Sequence, residues 1–446
     1  MSVDRTQVVV VGAGMAGAAA ALRIRERMGD AVDILVLEAA ATVGGRAHRT
    51  DFAGERLEVG GTLLHSTNSY LVGIMQRLGI ERARSAESVA DPKAALGVWN
   101  GERFVLRVPT GNWRFLAGIV ARYRLRSLRR LSATAKDALA RVQSIYPQLE
   151  AGRPFASPAE LAEFAGLAEL SRSTLRETLE RRGVSGRAIE EIAGGVLHNM
   201  FNQETHMAGF PGLVGLIGAG LAGGSLFSVD GGNSRLVEGS LRLAGADVRT
   251  GARASGVRDD RTVELADGGT VAADIVVLAV PLAVAGIALP ASVALPPTRY
   301  RRVHVTLVAG RLSERYFGMA NPPETIFTAS GENRPFNSAA RIGWSKAADA
   351  PVFKFFGTQP LPDAVVHQIV DDVHDIKRIE WDAYPVMQVD PQTAPFELAP
   401  GIFFPNAFEA VVSTLETESV AGRIVGDLVA QRLEGENEAA TASATA

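Results

Sequence analysis

The feature that most constrains the fold is a glycine motif near the N-terminus. Four valines at positions 8–11 run into Gly12, which is followed at GxGxxG spacing by Gly14 and Gly17. A run of β-branched residues is typical of a strand buried on both faces. Gly12 permits a tight turn, Gly14 lets a pyrophosphate approach the backbone, and Gly17 lets the following helix pack closely, with its N-terminal amides directed at the phosphates. The pattern predicts a strand–turn–helix unit that binds a dinucleotide.

A carboxylate follows at the spacing that such a unit requires. Residues 33–38 read DILVLE, which indicates a second apolar strand, and Glu38 at its end lies 21 residues beyond Gly17. A carboxylate at this place can accept hydrogen bonds from a ribose. A glycine fingerprint alone is weak evidence. In this context, between a strand and a helix and with its acidic residue in place, it predicts dinucleotide binding.

The composition excludes several classes of site. The chain has 446 residues, enough for two or three domains, and its formal net charge of -3 gives no general argument for binding nucleic acid. It contains no cysteine, which excludes disulfides, thiolate catalysis and cysteine-based metal sites. Its seven histidines show no spacing typical of metal ligands, so we expect no metal site.

The N-terminus and the apolar stretches predict a cytoplasmic protein. The first strand begins within ten residues of Met1, which leaves no room for a signal peptide, and the apolar residues 212–227 are too few for a membrane span. Residues 122–131 combine five arginines with leucines. Such a segment either lies on anionic lipid or is an ordinary solvated helix face. We therefore expect at most peripheral contact with a membrane.

Strands of the nucleotide-binding type occur in three separate blocks. We predict a discontinuous nucleotide-binding domain from residues 1–70, 225–290 and 386–433, and a second domain from residues 71–224 and 291–385. Residues 363–375 are predicted to form one helix. Residues 434–446, which are small or acidic, are predicted to be a disordered tail.

A second glycine motif favours a flavin over a nicotinamide. Gly44, Gly45 and Arg46 follow the second strand, and they resemble the second glycine motif of the glutathione-reductase-like FAD enzymes and the amine oxidase superfamily. The resemblance implies an α/β fold with a discontinuous, glutathione-reductase-like FAD-binding Rossmann domain and an α+β substrate domain, as in amine oxidases. The implied cofactor is non-covalently bound FAD.

One branch of that superfamily, the prenylcysteine oxidase or farnesylcysteine lyase family, matches best. Residues 229–233 (VDGGN) resemble its VEGGN, and residues 275–281 (IVVLAVP) resemble its IVVIATP. Residues 306–310 (TLVAG) resemble its SLVHG, and residues 406–409 read NAFE as in the family. The similarity covers about residues 8–433. The segment 198–203 differs from the family, and the usual FAGE sequence near the C-terminus is replaced by FPNA.

The family's reaction is oxidation of the carbon next to a thioether sulfur. The resemblance implies a hydride transfer from the prenyl chain to the flavin, giving a prenyl aldehyde, a free thiol and, after reoxidation by oxygen, hydrogen peroxide. The implied partners are therefore a small isoprenoid thioether and oxygen. The apolar residues 209–227 are either the lining of a slot for the prenyl chain or plain core.

The resemblance also implies which residues hold the cofactor. The implied contacts are Gly12, Gly14, Met15, Ala16 and Gly17 at the pyrophosphate; Glu38 and Ala39 at the adenosine ribose; Gly44, Gly45 and Arg46 along the phosphates and ribityl chain; Gly60, Gly61 and Thr62 beside the isoalloxazine; Ala254 at the adenine; and Glu409, Ser413, Thr414 and Leu415 at the flavin end. A helix start near Leu415 would stabilise an anionic reduced flavin.

Candidates for catalysis are fewer. We single out His304, His198, Asn233, Trp381 and Tyr384. His304 occupies the place where amine oxidases often have a lysine that holds a water against the flavin, although it is equally readable as an ordinary sheet residue. Trp381 and Tyr384 are either one wall of the pocket or part of the domain interface.

Other functions remain open at this stage. An amine oxidase or a carotenoid-type desaturase would use the same fold. A non-catalytic alternative is a prenyl-binding escort module, like the Rab escort proteins and guanine-nucleotide dissociation inhibitors, which lack flavin. The intact glycine motifs and Glu38 argue against the escort module.

Overall fold

The structure is a computed structural model that describes residues 5–83, 96–108, 113–331 and 334–445. Its strands are β1 (Thr6–Val11), β2 (Val32–Glu38), β3 (Arg49–Phe52), β4 (Glu55–Glu58), β5 (Leu64–His65), β6 (Leu96–Trp99), β7 (Phe104–Val108), β8 (Leu226–Phe227), β9 (Asp247–Thr250), β10 (Ala254–Val257), β11 (Val263–Leu265), β12 (Thr270–Val271), β13 (Ile275–Leu278), β14 (Tyr300–Leu312), β15 (Thr325–Thr328), β16 (Ser338–Ser345), β17 (Ala350–Gly357), β18 (Val370–Pro385), β19 (Glu397–Ala399) and β20 (Ile402–Phe403).

The helices separate these strands into blocks. They are α1 (Met15–Met28), α2 (Ser69–Leu78), α3 (Trp113–Tyr123), α4 (Leu125–Gln143), α5 (Ile145–Glu150), α6 (Pro158–Phe164), α7 (Ala168–Ser171), α8 (Leu175–Arg181), α9 (Gly186–Ala188), α10 (Gly194–Phe201), α11 (Gly209–Gly218), α12 (Ser234–Leu243), α13 (Leu282–Ala285), α14 (Glu314–Phe317), α15 (Asp363–Ile369) and α16 (Leu415–Thr445). Short helical turns lie at Gly29–Ala31, Ile189–Ala193 and Pro405–Ala410.

A six-stranded sheet carries the glycine motifs. Its order is β19-β20-β13-β1-β2-β9, with β1 parallel to both β13 and β2. The valines of β1 are fully buried at positions 8–10, as expected of a central strand covered on both faces. The strands come from three separated parts of the chain, and the sheet therefore brings residues near 10, 280 and 400 together. The exact domain boundaries stay a prediction.

Helix α1 packs on this sheet, and α16 packs closely on α1. A Cβ at Gly422 would overlap the backbone of Ala16, and one at Gly426 would overlap the side chain of Arg23. The two helices thus approach each other through glycines on α16. This contact holds the start of α16 near the glycine turn that follows β1.

A seven-stranded sheet forms the other half of the protein. Its order is β18-β14-β17-β16-β15-β6-β7, antiparallel except for the parallel pair β15 and β6. One face packs on an aromatic cluster that contains Trp99, Phe317 and Phe355. The other face packs, through Val305 and Leu307, on the hairpin of β3 and β4. This second face therefore lies against the segment that follows β4, residues 60–62.

Two predictions about local structure were wrong. The helix predicted for residues 363–375 ends at Ile369, and the chain continues as β18, whose residues pair with β14 over almost its whole length. That long ladder of hydrogen bonds prevails over local helix propensity.

The tail predicted to be disordered is instead helical, since α16 continues to Thr445, and only residue 446 lies outside the described residues. Glu434 and Glu436 form ion pairs with Arg27 and Arg432. The alanine-rich sequence has high helix propensity, and it extends a helix whose earlier turns are already buried.

Candidate functional site

Two glycine loops meet at the carboxyl end of β1. Gly12 has a φ of +103°, and a Cβ there would overlap the carbonyl oxygen of Ala279. A Cβ on Gly17 would overlap the carbonyl oxygen of Gly12. Gly14 differs, because the nearest atom to a Cβ there is the Cα of Gly45, at 4.0 Å. Gly12 and Gly17 are thus required by the fold itself, whereas Gly14 keeps an open surface on the turn, as a bound pyrophosphate requires.

The second loop is fixed to the first by hydrogen bonds. The amide of Gly44 donates to the carbonyl oxygen of Ala13 (2.9 Å). The Glu38 carboxylate accepts from the amide of Ala13 (2.8 Å) and from the amide of Ala40 (2.8 Å). The acidic residue therefore lies directly beside the glycine turn, with Met15 and Ala16 in the first turn of α1 and Ala39 next in sequence.

The adenine side is built by the turn before β10. The amide of Ala252 donates to the carbonyl oxygen of Glu38 (2.9 Å), and that of Gly251 donates to the carbonyl oxygen of Ala40 (2.9 Å). Ala254 begins β10 two residues later and is buried. The structure thus places Ala254 two residues beyond a turn that is hydrogen-bonded to the backbone of Glu38 and Ala40.

Residues 60–62 are held by side chains from both halves of the protein. The side-chain amide of Asn233 donates to the carbonyl oxygen of Gly61 (2.7 Å). Lys354, from β17, donates through Nζ to the carbonyl oxygen of Gly60 (3.2 Å) and to Oγ1 of Thr62 (3.1 Å). The segment predicted to lie beside the isoalloxazine is therefore held between Asn233, just before α12, and Lys354 of the seven-stranded sheet.

Residues 60–62 form a cluster with Glu58, Asn233 and Lys354. Two titratable groups in this cluster have strongly shifted pKa values. Burial lowers the pKa of Lys354 to about 8, against the attraction of Glu58. Burial raises the pKa of Glu58 to about 7, although the amide of Asn233 donates to its Oε1 (2.6 Å) and Lys354 opposes the shift. Perturbed acids and bases of this kind cluster at functional sites. Both groups are thus able to exchange protons near neutral pH.

A buried polar network lies at the C-terminal side of the site. Arg46 forms an ion pair with Glu409, which also accepts a hydrogen bond from the hydroxyl of Tyr300. Glu418 lies beside Glu409, and Asn406 donates to both carboxyl groups. Burial and the nearby charge of Glu409 raise the pKa of Glu418 well above its ordinary value. The network therefore favours the protonated form of Glu418 beside the ion pair of Arg46 and Glu409.

The start of α16 follows this network. Ser413 donates through Oγ to Glu418 (3.3 Å), and the amide of Thr414 donates to Oγ1 of Thr417 (2.7 Å). Leu415 begins the helix, and its Cδ1 would lie 3.9 Å from a Cβ on Gly61. The helix start predicted to face the flavin is thus adjacent to residues 60–62, although the Thr414 amide already has an acceptor within the protein.

These residues fit a bound FAD. Among the described residues, two buried oxygens of this cluster lack a hydrogen-bond partner, Glu58 Oε2 and Asn233 Oδ1. In the network around Glu409, Asn406 Oδ1 also lacks one. Buried polar groups in proteins almost always have partners. An open glycine turn, a carboxylate at the ribose position and unpaired polar atoms around residues 60–62 together match the donor and acceptor pattern of a dinucleotide with a polar ring system.

Of the five residues predicted to take part in catalysis, the structure brings Asn233 into the cluster. Tyr384 is half-buried on β18, with its ring 5.6 Å from that of Phe201 in an edge-to-face arrangement. Trp381 lies opposite Val303 and packs against the sheet face that covers β3 and β4. Trp381 therefore contributes to the interface between the sheet and the hairpin.

The two histidines lie elsewhere. His304 is paired opposite Gly357, so its side chain points to the face of the sheet opposite to that of Leu307 and Lys354. Its Nδ1 lies 3.2 Å from Oε2 of Glu380. The structure thus gives His304 no contact with residues 60–62, and the sheet places Lys354 there instead.

His198 is fully buried within the second half of the protein. Its Nδ1 lies 2.7 Å from the carbonyl oxygen of Thr328, and its Nε2 lies 3.0 Å from Oε2 of Glu204. Burial opposes ionisation of Glu204, but His198 and Arg334 prevail and lower its pKa to about 2. His198 therefore belongs to a structural network with no partner in the cofactor segments.

The main residue that sequence reasoning missed is Lys354. The signal was a single charge inside an otherwise apolar strand, APVFKFFG, where a lysine has to be buried. The apolar side chains of residues 209–227 pack in the core, with Leu213 and Leu216 fully buried.

Among residues 5–83, 96–108, 113–331 and 334–445, no helix has an apolar run long enough to cross a bilayer.

Known proteins resemble this chain over most of its length. The sequence model of the prenylcysteine lyase family matches residues 110–442, and that of an NAD(P)-binding Rossmann-like domain matches residues 10–78. Farnesylcysteine lyase of Arabidopsis thaliana is 26% identical over 447 residues, covering 95% of this chain and 88% of that protein. Prenylcysteine oxidase 1-like of Bos taurus is 27% identical over 460 residues, covering 96% and 91%.

Solved structures with the same fold include amine oxidases. A triple mutant of putrescine oxidase, made for redesign of cofactor binding, has a TM-score of 0.65 at 16% identity and covers 96% of this chain and 99% of its own. Cyclohexylamine oxidase from Brevibacterium oxydans has a TM-score of 0.62 at 16% identity and covers 96% and 100%. The predicted fold class, the FAD cofactor and the class of oxidoreductase are confirmed. With its family model matching three quarters of the sequence, the chain belongs to the prenylcysteine lyase family.

Proposed function

We propose that this protein is an FAD-dependent oxidase that cleaves the thioether of a prenylcysteine or a closely similar isoprenoid thioether. The observation that carries the proposal is the match of the prenylcysteine lyase model to residues 110–442, in a chain whose glycine loops and Glu38 keep the geometry that FAD requires. The products are a prenyl aldehyde and a free thiol, with oxygen reduced to hydrogen peroxide.

The chemistry starts at the carbon that joins the prenyl chain to sulfur. When bound, FAD supplies an acceptor for the hydride that leaves this carbon, and the sulfur stabilises the positive charge left behind. Water adds to that carbon, and the hemithioacetal then breaks its carbon–sulfur bond to give the aldehyde and the thiol. The protein has to align the carbon, exclude bulk water and move one proton.

The residues around positions 60–62 meet these requirements. Asn233 and Lys354 fix the backbone of Gly60, Gly61 and Thr62 from two sides, which sets the position of a ring system lying on that segment. Lys354 also brings a positive charge to this half-buried site. This charge favours any negative charge that develops there, because its effect is weakly screened.

Glu58 is the proton-holding group of the cluster. Its Oε1 accepts from the amide of Asn233, whereas its Oε2 is buried and lacks a partner among the described residues. With a pKa raised to about 7 by burial, the carboxyl group is partly protonated at neutral pH. We assign to it the storage of a proton at Oε2, close to the segment that holds the ring system.

The proposed activity is tested with purified protein. The protein should be yellow as isolated or after incubation with FAD, and it should release peroxide and aldehyde from farnesylcysteine or geranylgeranylcysteine. Turnover of a panel of amines without thioether cleavage would instead support an amine oxidase. A colourless protein that takes up no FAD would leave the non-catalytic escort function. The cytoplasmic location stays a prediction, tested by fractionating cells that produce the protein.

A further inference from the structure

One segment of the sequence separates positive from negative charge. Residues 103–136 contain nine basic residues and no aspartate or glutamate. The whole chain has 46 basic and 49 acidic residues. The basic residues of the segment are Arg103, Arg107, Arg114, Arg122, Arg124, Arg126, Arg129, Arg130 and Lys136. Charge of one sign is thus concentrated locally in a protein that is slightly acidic overall.

The structure exposes part of this charge on α4 and on the turn before it. Arg124, Arg126 and Arg129 are exposed, and none of the three has an ion-pair partner among the described residues. Arg122 differs, because it forms a two-point ion pair with Glu191. Arg130 donates to the carbonyl oxygen of Gly183 (3.0 Å). Three arginine charges therefore remain without a counterion from the described protein.

Apolar side chains interrupt the exposed arginines. Leu125 is 43% exposed at the first position of α4, and Val120, near the end of the preceding helix α3, is 37% exposed. A shallow depression of about 550 Å³ lies on this face. We define the α4 basic face as the residues that line the depression, together with the arginine before them: Arg124, Leu125, Arg126, Arg129, Arg130 and Ala133.

We infer that the α4 basic face docks on the surface of a bilayer that contains anionic lipid. Uncompensated arginines beside exposed leucine and valine are complementary to a layer of lipid phosphates above an apolar interior. A nucleic acid would match the arginines but not the aliphatic side chains between them. The inference deepens the proposed function and rests on it for its purpose, because a prenyl thioether dissolves in the bilayer and has to be collected from it.

The position of the face relative to the site supports this purpose. The inner side of α4 packs on α11, and Ser132 donates to the carbonyl oxygen of Leu221 just beyond α11. On its other side, α11 contacts the ring of Phe201 at Gly215. Phe201 in turn packs on Tyr384. A single helix, α11, thus separates α4 from Phe201 and from Tyr384, one of the residues predicted to form a wall of the substrate pocket.

Vesicle sedimentation tests the inference with the full-length, FAD-loaded protein. The protein should sediment with vesicles of phosphatidylcholine and phosphatidylglycerol, and should stay in the supernatant with phosphatidylcholine alone. Binding should weaken as salt is added. The variant Arg124→Gln, Arg126→Gln, Arg129→Gln should lower the partition coefficient roughly a hundredfold, since each basic residue near an anionic surface contributes roughly fivefold.

A matched variant separates the face from net charge. Arg242, Arg311 and Arg315 are also exposed and have no ion-pair partner among the described residues. Changing these three to glutamine removes the same charge elsewhere and should leave vesicle binding unchanged. Leu125→Ser should weaken binding less than the triple variant, and circular dichroism should show that every variant is folded.

The inference is overturned by any of three results. The first is wild-type protein that does not sediment with anionic vesicles. The second is an equal loss of vesicle binding in both triple variants. The third is protein that binds RNA through the α4 basic face but does not bind vesicles. Failure of the proposed function is seen separately, because vesicle binding needs no turnover. A protein that binds vesicles but cleaves no thioether would keep the docking face and remove the proposed reaction, whereas the variant Arg124→Gln, Arg126→Gln, Arg129→Gln should still oxidise a soluble thioether.

Discussion

Lys354 donates a hydrogen bond to Oγ1 of Thr62, joining the middle of the seven-stranded sheet to the loop that follows β4. The lysine is half-buried in a strand of otherwise apolar residues, where partial loss of water around its charge is unfavourable. Its ammonium group is only partly compensated, by the carbonyl oxygen of Gly60, by Thr62 and by the more distant Glu58. A fold does not require such a lysine, and its position therefore points to the bound cofactor.

The first prediction concerns the pH dependence that buried Lys354 imposes on stability. Its pKa is about 8 in the folded protein and 10.5 ordinarily. Between these pH values the unfolded chain holds one proton more, so wild-type stability should rise with pH across the window, whereas Lys354→Met should lack this rise. The difference should reach about 3 kcal/mol in urea unfolding of the apoprotein. The control is Lys346→Met, at an exposed lysine. Parallel curves for wild type and Lys354→Met would contradict the prediction.

The second prediction concerns Glu58, which should make stability change with pH in the opposite direction and at lower pH. Burial raises the pKa of Glu58 from 4.5 to about 7. Between these values the folded protein holds the extra proton, so stability should fall as pH rises. Glu58→Gln should remove this fall, worth about 3 kcal/mol over the window. Thermal unfolding of the apoprotein is the measurement, with the exposed Glu102→Gln as control. A fall of equal size in both variants would assign the slope to other carboxyl groups.

Much of the cofactor half of this protein could be predicted from the sequence, because its signals are local. The fold requires glycine at position 17 because of a contact with Gly12, only five residues away. Glu38 is recognised by its fixed spacing from the glycine motif. Lys354 was missed because its meaning depends on which strand lies beside Gly60, and that pairing joins residues almost three hundred positions apart. His304, which the resemblance had placed at the flavin, points instead to the opposite face of the sheet from Lys354. Neighbouring residues of a strand point to opposite faces, so an alignment error of one residue is enough to misplace a side chain.

The third prediction separates two glycines of the first motif. Gly17→Ala should destabilise the apoprotein strongly, because a Cβ there overlaps the carbonyl oxygen of Gly12. Gly14→Ala should fold normally, since its φ of -86° suits any residue and its Cβ would meet nothing closer than 4.0 Å. It should nevertheless weaken FAD binding by roughly tenfold or more, about 1.4 kcal/mol, because the methyl group occupies the surface offered to the pyrophosphate. Unfolding curves and flavin titration measure the two effects. Normal FAD affinity in Gly14→Ala would contradict this assignment.

The fourth prediction compares two neighbouring buried carboxyl groups. Glu409 forms an ion pair with Arg46, so Glu409→Gln should leave the arginine without its counterion and lower the free energy of unfolding by about 3 kcal/mol. Burial and the charge of Glu409 raise the pKa of Glu418 well above its ordinary value, which favours its protonated form. Glu418→Gln, a change of the same size, should therefore alter stability little. Urea unfolding at neutral pH distinguishes the two variants. Equal losses would show that both carboxyl groups are ionised.

The last prediction concerns Tyr384, whose hydroxyl group is buried without a partner among the described residues. Tyr384→Phe should leave the apoprotein equally stable or stabilise it by about 1 kcal/mol, because an uncompensated polar group is removed. Tyr146 provides the matched control, since its hydroxyl donates to the buried Glu416 (2.7 Å) and Tyr146→Phe should destabilise the protein. If the hydroxyl of Tyr384 binds substrate, Tyr384→Phe should raise KM for a prenyl thioether while the apoprotein keeps its stability. Loss of stability as large as in Tyr146→Phe, with KM unchanged, would instead assign Tyr384 to the framework of the sheet.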